Sequence, residues 1–175
     1  MPSLESIRFE QEQQRARAGT PAKAAGLALH RADELLADAP GRSVWECARG
    51  CAHCCHLQVL ATPAEVAWLL EQFPPTAEQR ARIVANAKAA SGLSPGNYRS
   101  RRIRCAFLDE QDACSIYAAR PLKCRTHTSS SVAACATSDR AIPMDPWPVR
   151  VGQALHAGMA EEPEELHAAL ARTLA

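Results

Sequence analysis

The sequence has few aromatic residues and no long apolar run. Aromatic side chains make up 5% of its 175 residues, and much of the 47% apolar fraction is alanine, which buries little area. We therefore expect one small domain with a thin hydrophobic core. No apolar stretch approaches the roughly 18 residues of a membrane-spanning helix, which argues against an integral membrane protein.

Net charge and targeting signals are also lacking. The formal charge of +1 gives no overall attraction to nucleic acid or to an anionic membrane surface. The first residues are polar and do not show the basic-then-apolar pattern of a secretory signal. We therefore expect a protein that works in the reducing cytoplasm, without membrane contact.

What the chain does have is cysteine. Four of its eight cysteines lie between residues 47 and 55. In a secreted protein an even number would suggest disulfides, but in a reducing compartment the same abundance indicates metal or redox chemistry. Two or three intervening residues let the backbone aim successive thiolates at one centre. Cys47, Cys51 and Cys54 have this spacing, so a fourth ligand must come from elsewhere.

Several side chains could supply the fourth ligand. Adjacent Cys54 and Cys55 diverge if their loop is extended, so one of them would serve a second site, a bridge or packing. Imidazole is a common zinc ligand, but loop histidines are often solvated, and we rank them below the thiols. The further candidates are Cys105, Cys114, Cys124, His53, His56 and His127. The other histidines, His30, His156 and His167, fall in helical stretches and are predicted to lie on the surface.

Helix signals flank the thiols on both sides. Thr62-Pro63-Ala64-Glu65 has the pattern of a capping box, and Thr76 can cap the next helix. Apolar spacing and breakers predict helices over 3–18, 22–37, 63–73, 76–90, 149–160 and 163–174.

Shorter signals fill the remaining segments. Residues 57–60 fit a short strand, and an acidic turn would join 105–108 to 114–117 in a hairpin. The Gly, Pro and Ser residues of 91–97 indicate a linker. We interpret 126–138 as loop, and the prolines at 143, 146 and 148 argue against regular structure there.

These elements predict a mainly α-helical fold with a small β-hairpin, forming a single small domain organised around a cysteine-rich metal site. Its parts would be an N-terminal helical segment (1–40), a cysteine-cluster metal-binding domain (41–138) and a C-terminal helical tail packed on it (139–175).

Basic residues concentrate near the second group of cysteines. From Arg99 to Arg125 there are seven basic residues against three acidic ones. A centre with four thiolates carries net negative charge, which nearby guanidinium groups would offset. Arg120 and Arg125 are the candidates for that role, and a solvated basic face is the alternative. Nucleic-acid binding is disfavoured, because no aromatic residues are interleaved with the basic run.

The cysteine pattern as a whole resembles a known family. Cys47-x3-Cys51-x2-Cys54-Cys55, then "CAFL" from Cys105 and "CSIYAARPLKCR" from Cys114 to Arg125, are similar to the YkgJ-type cysteine-cluster family. Its members are described as zinc- or iron-chelating domains and are also labelled iron–sulfur-cluster proteins.

The resemblance implies a small, bacterial, cytoplasmic metal-binding domain. Its signature cysteines would be the ligands: Cys47, Cys51, Cys54, Cys55, Cys105, Cys114 and Cys124. A related module in flagellin lysine methylases is associated with an iron–sulfur cluster, which favours iron slightly over zinc. Cys135 lies outside the pattern, and we interpret it as an ordinary thiol.

Two classes of function remain open. In the first, zinc or a 4Fe-4S cluster holds two thiol-rich loops together in a metal-binding module and contributes folding energy. In the second, the protein is a redox or S-adenosylmethionine-linked enzyme that uses an iron–sulfur cluster. The Cys47-x3-Cys51-x2-Cys54 spacing also occurs in radical S-adenosylmethionine enzymes, but the chain is short for a barrel of about 200 residues or more. We favour the module, and the sequence identifies neither a substrate nor a protein partner.

Overall fold

The computed structural model describes residues 1–48, 50–137 and 141–175. Its α-helices, in chain order, are α1 (Leu4–Arg17), α2 (Pro21–Ala37), α3 (Pro63–Gln72), α4 (Ala77–Ala90), α5 (Pro95–Arg101), α6 (Leu122–Thr126), α7 (Val132–Ala136), α8 (Pro146–Met159) and α9 (Leu166–Thr173). The strands are β1 (Leu60–Ala61) and β2 (Glu164–Glu165), and short 3-10 helices cover Arg42–Val44, His53–His56 and Tyr117–Ala119.

The two central helices begin at the threonines that the sequence indicates. The Thr62 hydroxyl accepts the Glu65 backbone N–H at 3.2 Å, and the Glu65 carboxylate accepts the Thr62 N–H at 2.8 Å. This reciprocal pair confirms the predicted capping box of α3. Thr76 caps α4 as predicted, and the Gln79 side-chain oxygen accepts the Thr76 N–H at 2.9 Å.

One hydrophobic cluster lies where α1, α2 and α8 meet. Its larger side chains include Ile7, Leu29 and Leu155, and alanines of α2 fill the space between them. Small residues allow α8 to approach α1 closely: a Cβ atom on Gly158 would lie 2.7 Å from the Cβ of Gln11. The core here is thin and depends on close helix contacts, as the alanine-rich composition suggests.

A second hydrophobic cluster packs α3 and α4 against α9. Leu69, Ile83 and Leu170 are fully buried in it, together with Phe107 from the loop that follows Cys105. β1 and β2 pair antiparallel, with Leu60 opposite Glu165, and bring the start of α9 beside the segment that follows the first cysteines. The C-terminal helices therefore pack directly on the cysteine-bearing part of the chain.

The architecture confirms the predicted fold class: a mainly helical, single small domain with a small two-stranded antiparallel element. The position of that element differs from the prediction. The paired strands lie at 60–61 and 164–165, far apart in sequence, whereas the expected hairpin at 105–117 is a single antiparallel bridge between Leu108 and Cys114. The acidic turn closes on itself instead: the Asp109 carboxylate accepts the N–H groups of Gln111 and Ala113 at 2.9 and 2.8 Å.

The prediction that the prolines at 143, 146 and 148 prevent regular structure is wrong for the last two. Pro146 and Pro148 lie in the first turn of α8, where a helix needs no backbone N–H donor. Asp145 caps this helix by accepting the Trp147 N–H at 2.9 Å. Prolines at a helix start are compatible with α8, and the acidic N-cap makes them favourable.

Two further segments are more regular than predicted. α7 lies inside the segment 126–138, which was expected to be loop, and α5 begins inside the expected linker 91–97. Each starts at a serine N-cap, Ser131 for α7 and Ser94 for α5. In the described part of the chain, the apolar stretch of every helix is too short for a membrane span.

Candidate metal centre

The first cysteine loop is compact rather than extended. Residues 53–56 form a turn of 3-10 helix that carries both Cys54 and Cys55. The expectation that these two side chains diverge depended on an extended loop, and that condition is not met.

A backbone hydrogen bond joins the two cysteine-rich loops. The N–H of Cys105 donates to the carbonyl of Cys55 at 2.9 Å. The Leu108–Cys114 bridge follows at once, and the Ser115 N–H donates to Phe107 O at 2.9 Å. Cys105 and Cys114 are thereby held beside the first loop, although they are about 50 or more residues away in sequence.

Cys124 reaches the same region on α6, whose start is fixed by a buried carboxylate. The Leu122 N–H donates to Glu65 Oε1 at 2.7 Å, and the Glu65 side chain is fully buried. The same carboxylate is 3.1 Å from His156 Nε2 on α8. Glu65 thus joins α3, α6 and α8 at a point two residues before Cys124.

Four thiols from separate segments are close enough for their charges to interact, and we call them the first thiol group: Cys54, Cys105, Cys114 and Cys124. Burial raises the pKa of Cys105, Cys114 and Cys124, and negative charge on the other thiols of the group raises it further. The neighbouring Cys55 side chain, together with burial, holds the pKa of Cys54 well above its usual range. Without a cation, these groups are therefore neutral at pH 7.

Cys47 and Cys135, two of the remaining cysteines, lie close enough for their charges to interact. The Ser129 N–H points at the Cys47 sulfur at 3.3 Å. Burial raises the pKa of Cys47, the Ser129 N–H lowers it, and charge on Cys54, Cys51 and Cys135 raises it. Cys135 is buried on α7, with 7% of its surface exposed. Cys135 therefore lies near the signature cysteine Cys47, which the sequence did not indicate.

The thiols form a loose group rather than a closed coordination sphere. Among residues 1–48, 50–137 and 141–175, no three Cys, His, Asp or Glu side chains stand at the spacing that one bound metal ion requires. A single rotatable bond, χ1, sets the position of each cysteine sulfur. In chemical type, clustered thiols suit zinc and iron, and do not suit magnesium or calcium.

A comparison with known protein families identifies the family of this chain. The model of the CxxCxxCC family, described as a "putative zinc- or iron-chelating domain", matches residues 46–144, which is more than half of the chain. The chain belongs to this family. No curated protein and no solved structure shows significant similarity to this chain.

The matched CxxCxxCC region includes both arginines proposed to offset thiolate charge, and they lie in different surroundings. Positive charge on Arg120 lowers the pKa of Cys54, Cys114 and Cys124, and its guanidinium also stacks on Tyr117, 4.0 Å from the ring centre. The guanidinium of Arg125 is buried and pairs with Asp33. It also donates to the carbonyls of Ala118 and Arg120.

Most of the remaining basic run in the CxxCxxCC region has structural partners. Arg99 donates to Ala134 O at 3.2 Å and to Thr137 O at 2.6 Å. Arg102 donates to Ala136 O at 3.3 Å, and Arg104 pairs with Asp112. Arg99 and Arg102 thus serve the C-terminal end of α7, where cations are favourable.

Among the described residues, the candidate histidine ligands of the CxxCxxCC region form no hydrogen bond with a thiol. His56 Nδ1 lies 3.2 Å from Ala52 O, and burial lowers its pKa. Burial, with the charges of Lys123 and Arg99, lowers the pKa of His127 to about 4. The Nε2 atom of His127 is buried and has no hydrogen-bond partner among residues 1–48, 50–137 and 141–175. His53 lies in the 3-10 turn beside Cys54.

Two histidines beyond the CxxCxxCC region are placed differently from the prediction. His30 is exposed as expected, with 77% of its side chain accessible. The prediction of a surface position is wrong for His167, which is 3% exposed, and for His156, whose side chain is 22% exposed and bonded to Glu65. In an amphipathic helix a histidine is assigned to the polar, exposed face, so the periodicity of the sequence does not show that it has a buried hydrogen-bond partner.

His167 is the centre of a buried network that sequence reasoning missed. Its Nε2 atom lies 3.3 Å from both the Ala106 backbone nitrogen and the Asn86 side-chain nitrogen. Its Nδ1 atom lies 3.1 Å from Glu165 Oε1 and 3.4 Å from the Tyr98 hydroxyl. This network connects α9 with the residue that follows Cys105. The only sequence signal for it was a histidine two residues after a glutamate.

Proposed function

We propose that this chain binds zinc or an iron–sulfur cluster through the first thiol group, Cys54, Cys105, Cys114 and Cys124. Membership of a zinc- or iron-chelating family supports this proposal. The other signature thiols, Cys47, Cys51 and Cys55, lie on the same loop as Cys54 and are further candidate ligands. The centre would hold the two cysteine loops and α6 together.

The observation that supports the proposal is that four thiols from separate segments lie close enough for negative charge on one to raise the pKa of another. Each ionised thiolate makes the next one harder to ionise, because burial and like charge both raise the thiol pKa. A bound cation would lower the pKa of these thiols, because its positive charge stabilises the thiolates that coordinate it. A metal ion or cluster would therefore stabilise the ionised form of all four thiols.

The surroundings suit a centre with net negative charge. Arg120 supplies a positive charge that acts on three of the four thiols. Backbone N–H groups near the loops, such as that of Cys105, are already engaged and fix the loop geometry. A reducing cytoplasmic setting would keep the thiols available for metal rather than for disulfides.

The function that fits this arrangement best is that of a metal-binding module. The described core is thin and rich in alanine, so a metal centre that joins three loop segments would add stability that side-chain burial does not supply. Metal removal is therefore expected to loosen the region around Cys105–Cys124 before the helical cluster of α1, α2 and α8.

Metal analysis of anaerobically purified protein tests the proposal. Zinc or iron is expected in stoichiometric amount, and visible absorption typical of a cluster would assign the iron–sulfur form. Cys54→Ser should lose most of this metal and melt at a lower temperature. Ala48→Ser, which adds a hydroxyl to the same loop without removing a sulfur, should retain it. Protein without metal, or a Cys54→Ser variant with full metal content, would refute the proposal.

A further inference from the structure

A groove of about 620 Å³ lies along α2, between that helix, Trp68 of α3 and Ala118 in the loop before α6. We call it the α2 groove. Its lining residues from α2 are Lys23, Gly26, Leu27, Leu29, His30 and Asp33. Cavities of roughly 300–1,000 Å³ hold small organic ligands, so the α2 groove has the size for one.

The middle of the α2 groove offers an aromatic surface. A Cβ atom on Gly26 would lie 2.8–2.9 Å from three ring atoms of Trp68, so the indole packs face-on against the α2 backbone. The ring is half-buried and also borders the groove. Leu27, the next residue of α2, lines the groove and is 44% exposed. An indole beside an exposed leucine suits a planar ring, which would stack on the one and cover the other.

The charged residues of the α2 groove leave an excess of positive charge. At one end, the Asp33 carboxylate pairs with the buried guanidinium of Arg125, so these two charges offset each other. At the other end, Lys23 is exposed and forms no ion pair in the described part of the chain. An acid group on a ligand would therefore find its partner at Lys23.

We propose that the α2 groove binds a small organic anion that carries a planar aromatic ring. The ring would stack on Trp68, and the acid group would pair with Lys23, which lies about one helical turn before Gly26. None of the lining residues is a cysteine. The inference thus goes beyond the proposed metal binding and does not depend on it.

Three probes with the same ring system test this proposal by calorimetric titration of the full chain. They are 2-naphthoate, which is an anion, the neutral 2-naphthamide and the cationic 2-naphthylmethylammonium. 2-Naphthoate should bind at one site per chain and more tightly than the other two, because only its acid group complements Lys23.

Two substitutions at exposed positions locate the bound probe. Leu27→Asp places a negative charge in the middle of the α2 groove, and Lys23→Glu replaces an attraction by a repulsion. Each should weaken 2-naphthoate binding by about tenfold. Val84→Asp and Lys88→Glu make the same changes at exposed positions of α4 and should bind as the unaltered chain does.

Several results would overturn the proposal. Absence of 2-naphthoate binding, equal affinity for the three probes or tighter binding of the cation would each do so, and so would equal affinities of Leu27→Asp and Val84→Asp. Circular dichroism checks that the variants are folded, and if Leu27→Asp is not, Lys23→Glu and the three probes decide. No readout depends on metal content, so a failure here would leave the proposed metal centre unaffected.

Discussion

The Nε2 atom of His167 lies 3.3 Å from the backbone nitrogen of Ala106, the residue that follows Cys105. A backbone amide can only donate, so Nε2 is the acceptor and the ring hydrogen resides on Nδ1, facing Glu165 at 3.1 Å. A neutral imidazole on α9, oriented by a carboxylate, therefore fixes the backbone beside a signature cysteine.

Replacing His167 should weaken both the fold and the metal centre. His167→Ala leaves the fully buried Ala106 N–H without its acceptor, which we expect to lower the free energy of unfolding by about 1–3 kcal/mol. Urea denaturation and Co²⁺ affinity measure the two effects. His167→Gln retains an acceptor and should recover part of the affinity.

His30 supplies the matched control for that experiment. It is also a helical histidine, but 77% of its side chain is exposed. His30→Ala should leave both stability and Co²⁺ affinity unchanged. If His30→Ala and His167→Ala behaved alike, the positioning role of His167 would be wrong.

Among the carboxylates of α3, replacing Glu65 should cause the largest loss of stability. It accepts from the N–H groups of Thr62 and Leu122 and contacts His156, and its side chain has no exposed surface. Glu65→Ala leaves these buried groups unpaired, and we expect a loss of about 3 kcal/mol or more in chemical denaturation. Exposed Glu71 on the same helix is the control, and Glu71→Ala should change stability by less than about 0.5 kcal/mol. Similar losses for both variants would contradict the role of Glu65.

Two helical glycines, one at the contact between α1 and α8 and one in open space on α5, should respond oppositely to replacement by alanine. A methyl group on Gly158 would lie 2.9 Å from the backbone oxygen of Arg8, which cannot move aside cheaply. Gly158→Ala should therefore destabilise the protein by about 1–3 kcal/mol. Gly96 in α5 has no atom within 4 Å of the same position, and Gly96→Ala should stabilise slightly, by about 0.5 kcal/mol. Thermal melts of both variants check the difference in sign.

Stability should fall on mild acidification because of His127. Burial, with the charges of Lys123 and Arg99, lowers its pKa from 6.5 to about 4. Between these values the unfolded chain takes up a proton at this position and the folded chain does not, so stability decreases as pH falls through this window. The decrease amounts to at most about 3.5 kcal/mol, since one pKa unit corresponds to about 1.4 kcal/mol.

The measurement compares denaturation curves of the unaltered chain and His127→Gln from pH 7 to pH 4. The variant should lose less stability on acidification, because glutamine does not titrate. His30→Gln, altered at an exposed position, should follow the unaltered chain. A pH dependence that is identical in all three proteins would show that His127 titrates normally.

Local signals in the sequence predicted most of the fold. The threonine caps of α3 and α4 need only a side chain and its neighbours three residues on, and both were confirmed. α7 could not be predicted in the same way, because its stability comes from Glu46 and Arg99, which are distant in sequence. The pairing of β1 with β2 is likewise set by tertiary packing.

The candidate site follows the same division. Cysteine spacing indicated the thiol-rich loops and the family, since the pattern is local in each loop. The proximity of Cys135 to Cys47 and the burial of His167 depend on how helices far apart in sequence are packed. Such contacts leave no periodicity in the sequence, and a single histidine or cysteine carries no sign of its partner.

Glu65 and Ala106 lie within the family region, which ends at residue 144, but their hydrogen-bond partners His156 and His167 lie beyond it. A fragment cut at that boundary would carry every signature cysteine and yet lack two of the side chains that hold the cysteine segments in register. Transplanting this module into another protein would therefore require the chain at least as far as His167. The unit that sequence similarity recognises is shorter than the unit that can be moved intact.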